Sequence, residues 1–101
     1  MPSTVETLVE SFQEAGTPFM AGHPGGESVE LLDAARRADM RFILMKQESA
    51  AAMMAATWGE ITGLPGVCLS TCGPGTANPT NGLAHPWMER RSLISGTGQY
   101  A

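Results

Sequence analysis

Apolar positions recur along the chain in two alternating rhythms. Val5, Leu8, Val9 and Phe12 fall at i, i+3, i+4 and i+7, the single stripe of an amphipathic helix. Ser3 and Glu6 stand at the spacing of a capping box before that stripe, and Gly16 closes it. Thr17 to Ala21 is short, apolar and bounded by glycine, which predicts a buried strand. Gly22-His23-Pro24-Gly25-Gly26 is too rich in Gly and Pro for either regular state. A second helix is predicted from about Glu27 to Ala38. Its acidic residues (Glu27, Glu30, Asp33) lie toward the start and Arg36 and Arg37 toward the end, the order that a helix dipole favours. Leu31, Leu32 and Ala35 supply its apolar face. Arg41 to Met45 is read as the second strand, because Phe42-Ile43-Leu44-Met45 is continuously apolar, as burial on both faces requires.

The second half repeats the alternation. A third helix is expected from Glu48 to about Ile61. Its Ala50 to Ala56 stretch is apolar almost all round, which implies burial on more than one side. Gly63-Leu64-Pro65-Gly66 breaks it, and Val67-Cys68-Leu69-Ser70 is the third strand. Thr71 to Asn78 is a second Gly/Pro loop. A fourth helix follows from about Pro79 to Met88, with Pro79 tolerated in its first turn. Pro86 is a misfit there, since it removes a backbone donor and should kink or end the helix early. Leu93-Ile94-Ser95 is the fourth strand and runs into Gly96-Thr97-Gly98-Gln99. Helix-length connections between successive strands imply parallel pairing. The predicted class is α/β, a parallel sheet flanked by helices on both faces.

Composition narrows the chemistry. The 101 residues hold 6 Lys+Arg against 10 Asp+Glu, a formal charge of −4. That length allows one domain with one modest core. The acidic balance argues against nucleic acid or an anionic membrane as partner, since both require basic patches. Met1-Pro2-Ser3-Thr4 has no secretory character, and the long uncharged run from Ile61 to Met88 carries too much Gly and Pro for a membrane span. A cytoplasmic protein is therefore expected. An uncharged run of that length also suggests a dimer or interdomain surface. Cys68 and Cys72 would lie roughly 13 Å apart on extended chain, too far for a disulfide. No His/Cys spacing matches a structural zinc site, so no metal ligand is assigned.

In an open parallel sheet, ligands bind beyond the carboxyl ends of the strands. Four segments are expected there: Gly22 to Gly26, Gln47-Glu48, Thr71 to Asn78, and Gly96 to Gln99. None is a standard phosphate loop. Gly73-Pro74-Gly75 alone is compatible with a plain strand-to-helix turn. Glu48 could be an ordinary acidic residue in a first helical turn. Its setting between an apolar strand and an alanine-rich helix, however, makes a carboxylate costly without a partner. His23, in the glycine turn, could contact a ligand. His85 reads as a helix-face residue.

These segments together resemble a known family. Gly22-x-Pro24-Gly25-Gly26, Gln47-Glu48-Ser49-Ala50-Ala51 with Met54-Ala55, Gly66-Val67-Cys68-Leu69-Ser70-Thr71-x-Gly73-Pro74-Gly75-x-x-Asn78, and Gly96-x-Gly98-Gln99 occur in order and at familiar spacing. They are similar to the N-terminal, pyrimidine-binding domain of thiamine-diphosphate-dependent enzymes of the acetolactate synthase and 2-oxo-acid decarboxylase group. The resemblance runs from about Ser3 to Gln99. It implies that Glu48 hydrogen-bonds N1′ of the cofactor's aminopyrimidine and favours its imino tautomer, which takes the C2 proton of the thiazolium. Pro24 and Gly25 match the turn against the pyrimidine. Gly73, Asn78 and Gln99 match loop positions near the active site. Lys46-Gln47 stands where the family often has a His before the Glu, and Pro86 and Arg91 replace commoner residues.

The resemblance also implies what the chain lacks. The family holds the cofactor's diphosphate and its Mg2+ in a separate C-terminal domain, through a Gly-Asp-Gly motif and a downstream Asn, and neither occurs here. Residues 1–101 are thus expected to be a truncated pyrimidine-binding domain, incomplete at its C-terminus and inactive alone. A homo-oligomer, dimer or tetramer, is implied, because the family's active site forms between domains of two subunits. A 2-oxo acid is the implied substrate, with acetolactate synthase-like carboligation after decarboxylation as the leading reaction. A non-oxidative 2-oxo-acid decarboxylase, a non-catalytic assembly module, and an α/β domain for another small ligand are the alternatives.

Overall fold

The computed structural model describes residues 2–71, 77–89 and 93–97. The elements are α1 (Thr4–Glu14), β1 (Phe19–Gly22), α2 (Val29–Arg37), β2 (Arg41–Leu44), α3 (Glu48–Thr62), β3 (Gly66–Ser70), α4 (Thr80–Glu89) and β4 (Leu93–Thr97). The strands form one sheet in the order β2-β1-β3-β4, with every neighbouring pair parallel. In this register Gly22 lies opposite both Leu44 and Leu69. The carboxyl ends of the three strands therefore finish level.

Side-chain alternation along the strands divides the apolar interior into two layers. On one face, Met20 and Val67 pack with Val9 of α1, Ala34 and Ala35 of α2, and Met40. On the other, Phe19, Ala21 and Cys68 pack with Ala51, Ala52 and Ala55 of α3. Trp58 closes the second layer, meeting Phe19 edge to face at 5.4 Å and 88°. The sheet is thus covered by helices on both faces.

Local chemistry accounts for the element boundaries. The Ser3 hydroxyl accepts from the Glu6 amide at 3.3 Å, and the Glu6 carboxylate accepts from the Ser3 amide at 3.3 Å, the reciprocal cap that the sequence predicts. Gly63 ends α3 in the left-handed region, φ 75°, where glycine avoids a Cβ clash. α2 begins later than expected, at Val29, after a short 3-10 turn over Gly26–Ser28. The Ser28 hydroxyl lies 3.0 Å from both the amide and the carbonyl of Gly25, an alternative to regular helical bonding. Arg37 links α2 to α1 through a 3.1 Å exposed ion pair with Glu6.

One expectation is corrected. β2 is not buried on both faces. It stands at the edge of the described sheet, and Leu44 is 65% exposed. Phe42 and Ile43 reach opposite apolar layers, but an edge strand meets only the margin of each. The fourth helix, by contrast, spans Thr80–Glu89 close to its predicted bounds, with Pro86 inside it.

The helices approach without side chains between them. A Cβ on Gly66 would fall 2.0 Å from the Ala55 carbonyl oxygen, and one on Gly22 would fall 2.1 Å from that of Leu69. A Cβ on Gly82 would fall 2.5 Å from the Ser49 carbonyl oxygen. These contacts press α3 against β3 and α4 against α3. Gly66→Ala is expected to lower stability by about 2 kcal/mol or more, because backbone must move to admit the methyl group. Urea unfolding checks it; an unchanged midpoint would show that α3 does not lie this close.

Candidate functional site at the carboxyl edge of the sheet

Glu48 is the first residue of α3 and lies just beyond the carboxyl end of β2. Gln47 caps this helix: its side-chain oxygen accepts from the Ala50 amide at 3.1 Å. Glu48 is 7% exposed. A carboxylate at that depth needs donors, and a helix N-terminus is the backbone setting that suits it best. Its side-chain partner is Asn78, whose Nδ2 donates at 3.3 Å to Oε1 and 3.4 Å to Oε2. Asn78 is fixed from its other end as well, since the Ser49 hydroxyl donates to its carbonyl at 2.5 Å. Neighbouring residues of α3 therefore hold both the side chain and the backbone of Asn78. A carboxylate has about four acceptor directions, so one amide group does not exhaust it.

The turn after β1 reaches the same edge. The Met45 amide donates to the Gly22 carbonyl at 2.8 Å, and the His23 amide donates to the Leu69 carbonyl at 3.3 Å. The His23 ring lies with Nδ1 3.0 Å from the Met45 carbonyl oxygen. A carbonyl can only accept, so Nδ1 carries the hydrogen there. This ring is exposed and its bond is structural: it ties the glycine turn to the end of β2. Pro24 and Gly25 are half-buried in that turn.

The predicted site residues thus have distinct fates. Glu48 and Asn78 come together in direct contact. Pro24 and Gly25 stand at the same end of the sheet, joined to Met45 and Leu69 through His23. Gly73 and Gln99 lie outside the described residues, as does Cys72. Cys68 is free and buried. Burial pushes its thiol up, partly countered by a hydrogen bond with Ser95, so it is protonated and unreactive at neutral pH. His85 falls on α4.

Three polar residues of this region escape sequence reasoning. Ser28 closes the Gly25 turn and Ser49 anchors Asn78. Ser70 ends the otherwise apolar β3, is 4% exposed, and its hydroxyl has no hydrogen-bond partner among the described residues. The available signal for Ser70 is a lone hydroxyl at the end of an otherwise apolar strand. The site is an edge rather than a closed cavity. A hollow of about 380 Å³ lies on the opposite layer, lined by Leu8, Phe12, Leu31, Leu69 and Ile94 among others, and does not include Glu48. Among the described residues, no group of three or more His, Cys, Asp or Glu could hold a metal ion.

Comparison with known proteins gives a consistent picture. The model of the family described as thiamine pyrophosphate enzyme, N-terminal TPP binding domain, matches residues 2–101. A probable acetolactate synthase large subunit from Methanocaldococcus jannaschii is 34% identical over 94 residues, covering 93% of this chain and 16% of the relative. Acetolactate synthase 2, chloroplastic, from Nicotiana tabacum is 34% identical over 95 residues, covering 93% of this chain and 14% of the relative. Acetolactate synthase isozyme 2 large subunit from Escherichia coli is 33% identical over 92 residues, covering 91% and 17%. The chain spans about one-sixth of the length of these curated relatives.

The contact between Glu48 and Asn78 can be tested by charge. Asn78→Ala removes one donor and is expected to cost about 1 kcal/mol. Asn78→Asp sets a second carboxylate against the first and should cost more at neutral pH. Mutual repulsion raises the carboxyl pKa of such a pair in the folded state. The extra cost must therefore shrink as pH falls through the carboxylate range. Unfolding midpoints measured across that range check it; equal penalties for both variants at every pH would rule out the contact.

Proposed function

This chain belongs to the thiamine pyrophosphate enzymes, as their N-terminal TPP binding domain, and we propose that it supplies the pyrimidine-binding part of an acetolactate synthase-like enzyme acting on 2-oxo acids. The observation that carries this reading is Glu48, a buried carboxylate at a helix N-terminus with acceptor directions to spare. The surrounding residues fit the aminopyrimidine end of thiamine diphosphate. A carboxylate, a glycine turn and the Ser70 hydroxyl, unpartnered among the described residues, share one edge, and an alanine wall stands behind them. When bound, that cofactor supplies a carbon nucleophile and an electron sink for a 2-oxo acid.

The roles of the protein residues follow from their settings. Glu48 would hydrogen-bond ring nitrogen N1′, and such a bond would gain strength where water is excluded. Ala51, Ala52 and Ala55 supply the dry wall. Asn78 orients the carboxylate through its amide. Pro24 and Gly25 form the turn that would lie against the ring. The family resemblance adds Gly73 and Gln99 to this set. Residues 1–101 form the pyrimidine-binding domain, and Mg2+ and the diphosphate are held by residues outside this chain. What favours carboligation over simple decarboxylation is that the relatives above are named acetolactate synthases. Cytoplasmic placement belongs to the same proposal, although the tobacco relative is chloroplastic. No described helix is long and apolar enough to cross a membrane.

A homo-oligomer is part of the reading. Ile61 and Met88, the two ends of the uncharged run, are 79% and 77% exposed. Apolar side chains so placed support coverage by a second copy or a neighbouring domain.

Two measurements test these proposals. Glu48→Gln in the full-length enzyme is expected to cut carboligation of a panel of 2-oxo acids by about 100-fold or more with the fold intact. Near-normal turnover would sink the assignment. Sedimentation of the full-length protein should give a dimer or tetramer; a strict monomer at micromolar concentration would count against the oligomer.

A further inference from the structure

Ser70 is left without a role by the packing around it. Its hydroxyl is buried and has no hydrogen-bond partner among the described residues. An unsatisfied buried hydroxyl destabilises the fold, so such groups are few in native proteins and call for a reason.

The direction of the side chain follows from strand alternation. Gly66 faces α3, because a Cβ there would strike the Ala55 carbonyl. Cys68 packs with Ala51, Ala52 and Ala55, so it faces α3 as well. Ser70 continues that series on the same face. Its height follows from the topology. α3 leaves the carboxyl end of β2 and returns to the start of the parallel β3, so helix and strand run in opposite directions. From Gly66 to Ser70 the strand advances about 13 Å. From Ala55 back to Glu48 the helix covers about 10 Å. Ser70 and Glu48 therefore reach the same edge from the two sides of the α3–β3 contact.

We propose that Ser70 is a further binding residue of this site, its hydroxyl exchanging a hydrogen bond with the nitrogen heterocycle that Glu48 holds. The proposal rests on the reading of Glu48 given above. A hydroxyl can donate or accept, and a heteroaromatic ring offers both kinds of partner at its edge. The ring would thus be held by a carboxylate from the helix and a hydroxyl from the strand.

The test uses the full-length enzyme and the variant Ser70→Ala. Thiamine diphosphate with Mg2+ should bind the variant about threefold to tenfold more weakly by calorimetric titration. Inorganic pyrophosphate with Mg2+, which lacks the ring, should bind wild type and variant equally. Ligand-free Ser70→Ala should be no less stable to urea than wild type, since the lost hydroxyl has no partner among the described residues. Unchanged affinity for thiamine diphosphate would overturn the proposal and leave Ser70 as a hydroxyl satisfied by water alone. An equal loss for pyrophosphate would overturn it too, as general damage. If the wild type fails to bind thiamine diphosphate, the reading of Glu48 fails and the role of Ser70 falls with it. If the wild type binds and only Ser70→Ala is silent, the Ser70 role alone is lost.

Discussion

The close approach of α3 to its neighbours is the constraint on which the rest of this structure depends. Its inner face is alanine, and glycines stand opposite its backbone at Gly66 and Gly82. With no side chain between them, the helix backbone rests against β3 on one side and α4 on another. Such contact leaves little freedom of height or rotation, because interiors packed to crystal density resist small displacements. A carboxylate at the first position of α3 is then carried to a defined place at the edge of the sheet. Larger residues on either surface would separate the elements and move Glu48 with them.

The polar groups of that edge are arranged around the same helix. Gln47 satisfies one amide of the first turn, and the glutamate accepts from Asn78. Ser49 anchors the Asn78 backbone. On the opposite side of the edge, His23 and Met45 tie the glycine turn to the end of β2. These bonds hold backbone and side chains in place while leaving acceptor directions on Glu48, and a hydroxyl on Ser70, unmatched among the described residues. Unmatched polar groups are expensive in a fold and useful in a site, because a ligand that matches them gains what the empty protein lacks.

The outer surfaces tell of larger surroundings. β2 closes the described sheet at one edge with Leu44 exposed, while Ile61 and Met88 present apolar side chains to solvent. The chain spans only about one-sixth of the relatives it matches. The exposed apolar side chains accord with the proposed coverage of this domain by a second copy or a neighbouring domain.

Much of the architecture was legible without coordinates. The Ser3–Glu6 cap, the stripe of Val5, Leu8, Val9 and Phe12, and the glycine stops are local signals with local causes, and each element they predict is present. The parallel sheet followed from the lengths of the connections. Glu48 stood out because a carboxylate between apolar segments needs a partner. The partner's manner of holding, the edge position of β2 and the lack of a partner for the Ser70 hydroxyl among the described residues were decided by the tertiary structure. The physical reason is range. Caps, stripes and turns are set by neighbours along the chain, whereas Asn78 meets Glu48 through contacts between residues that only the packing of α3 brings together.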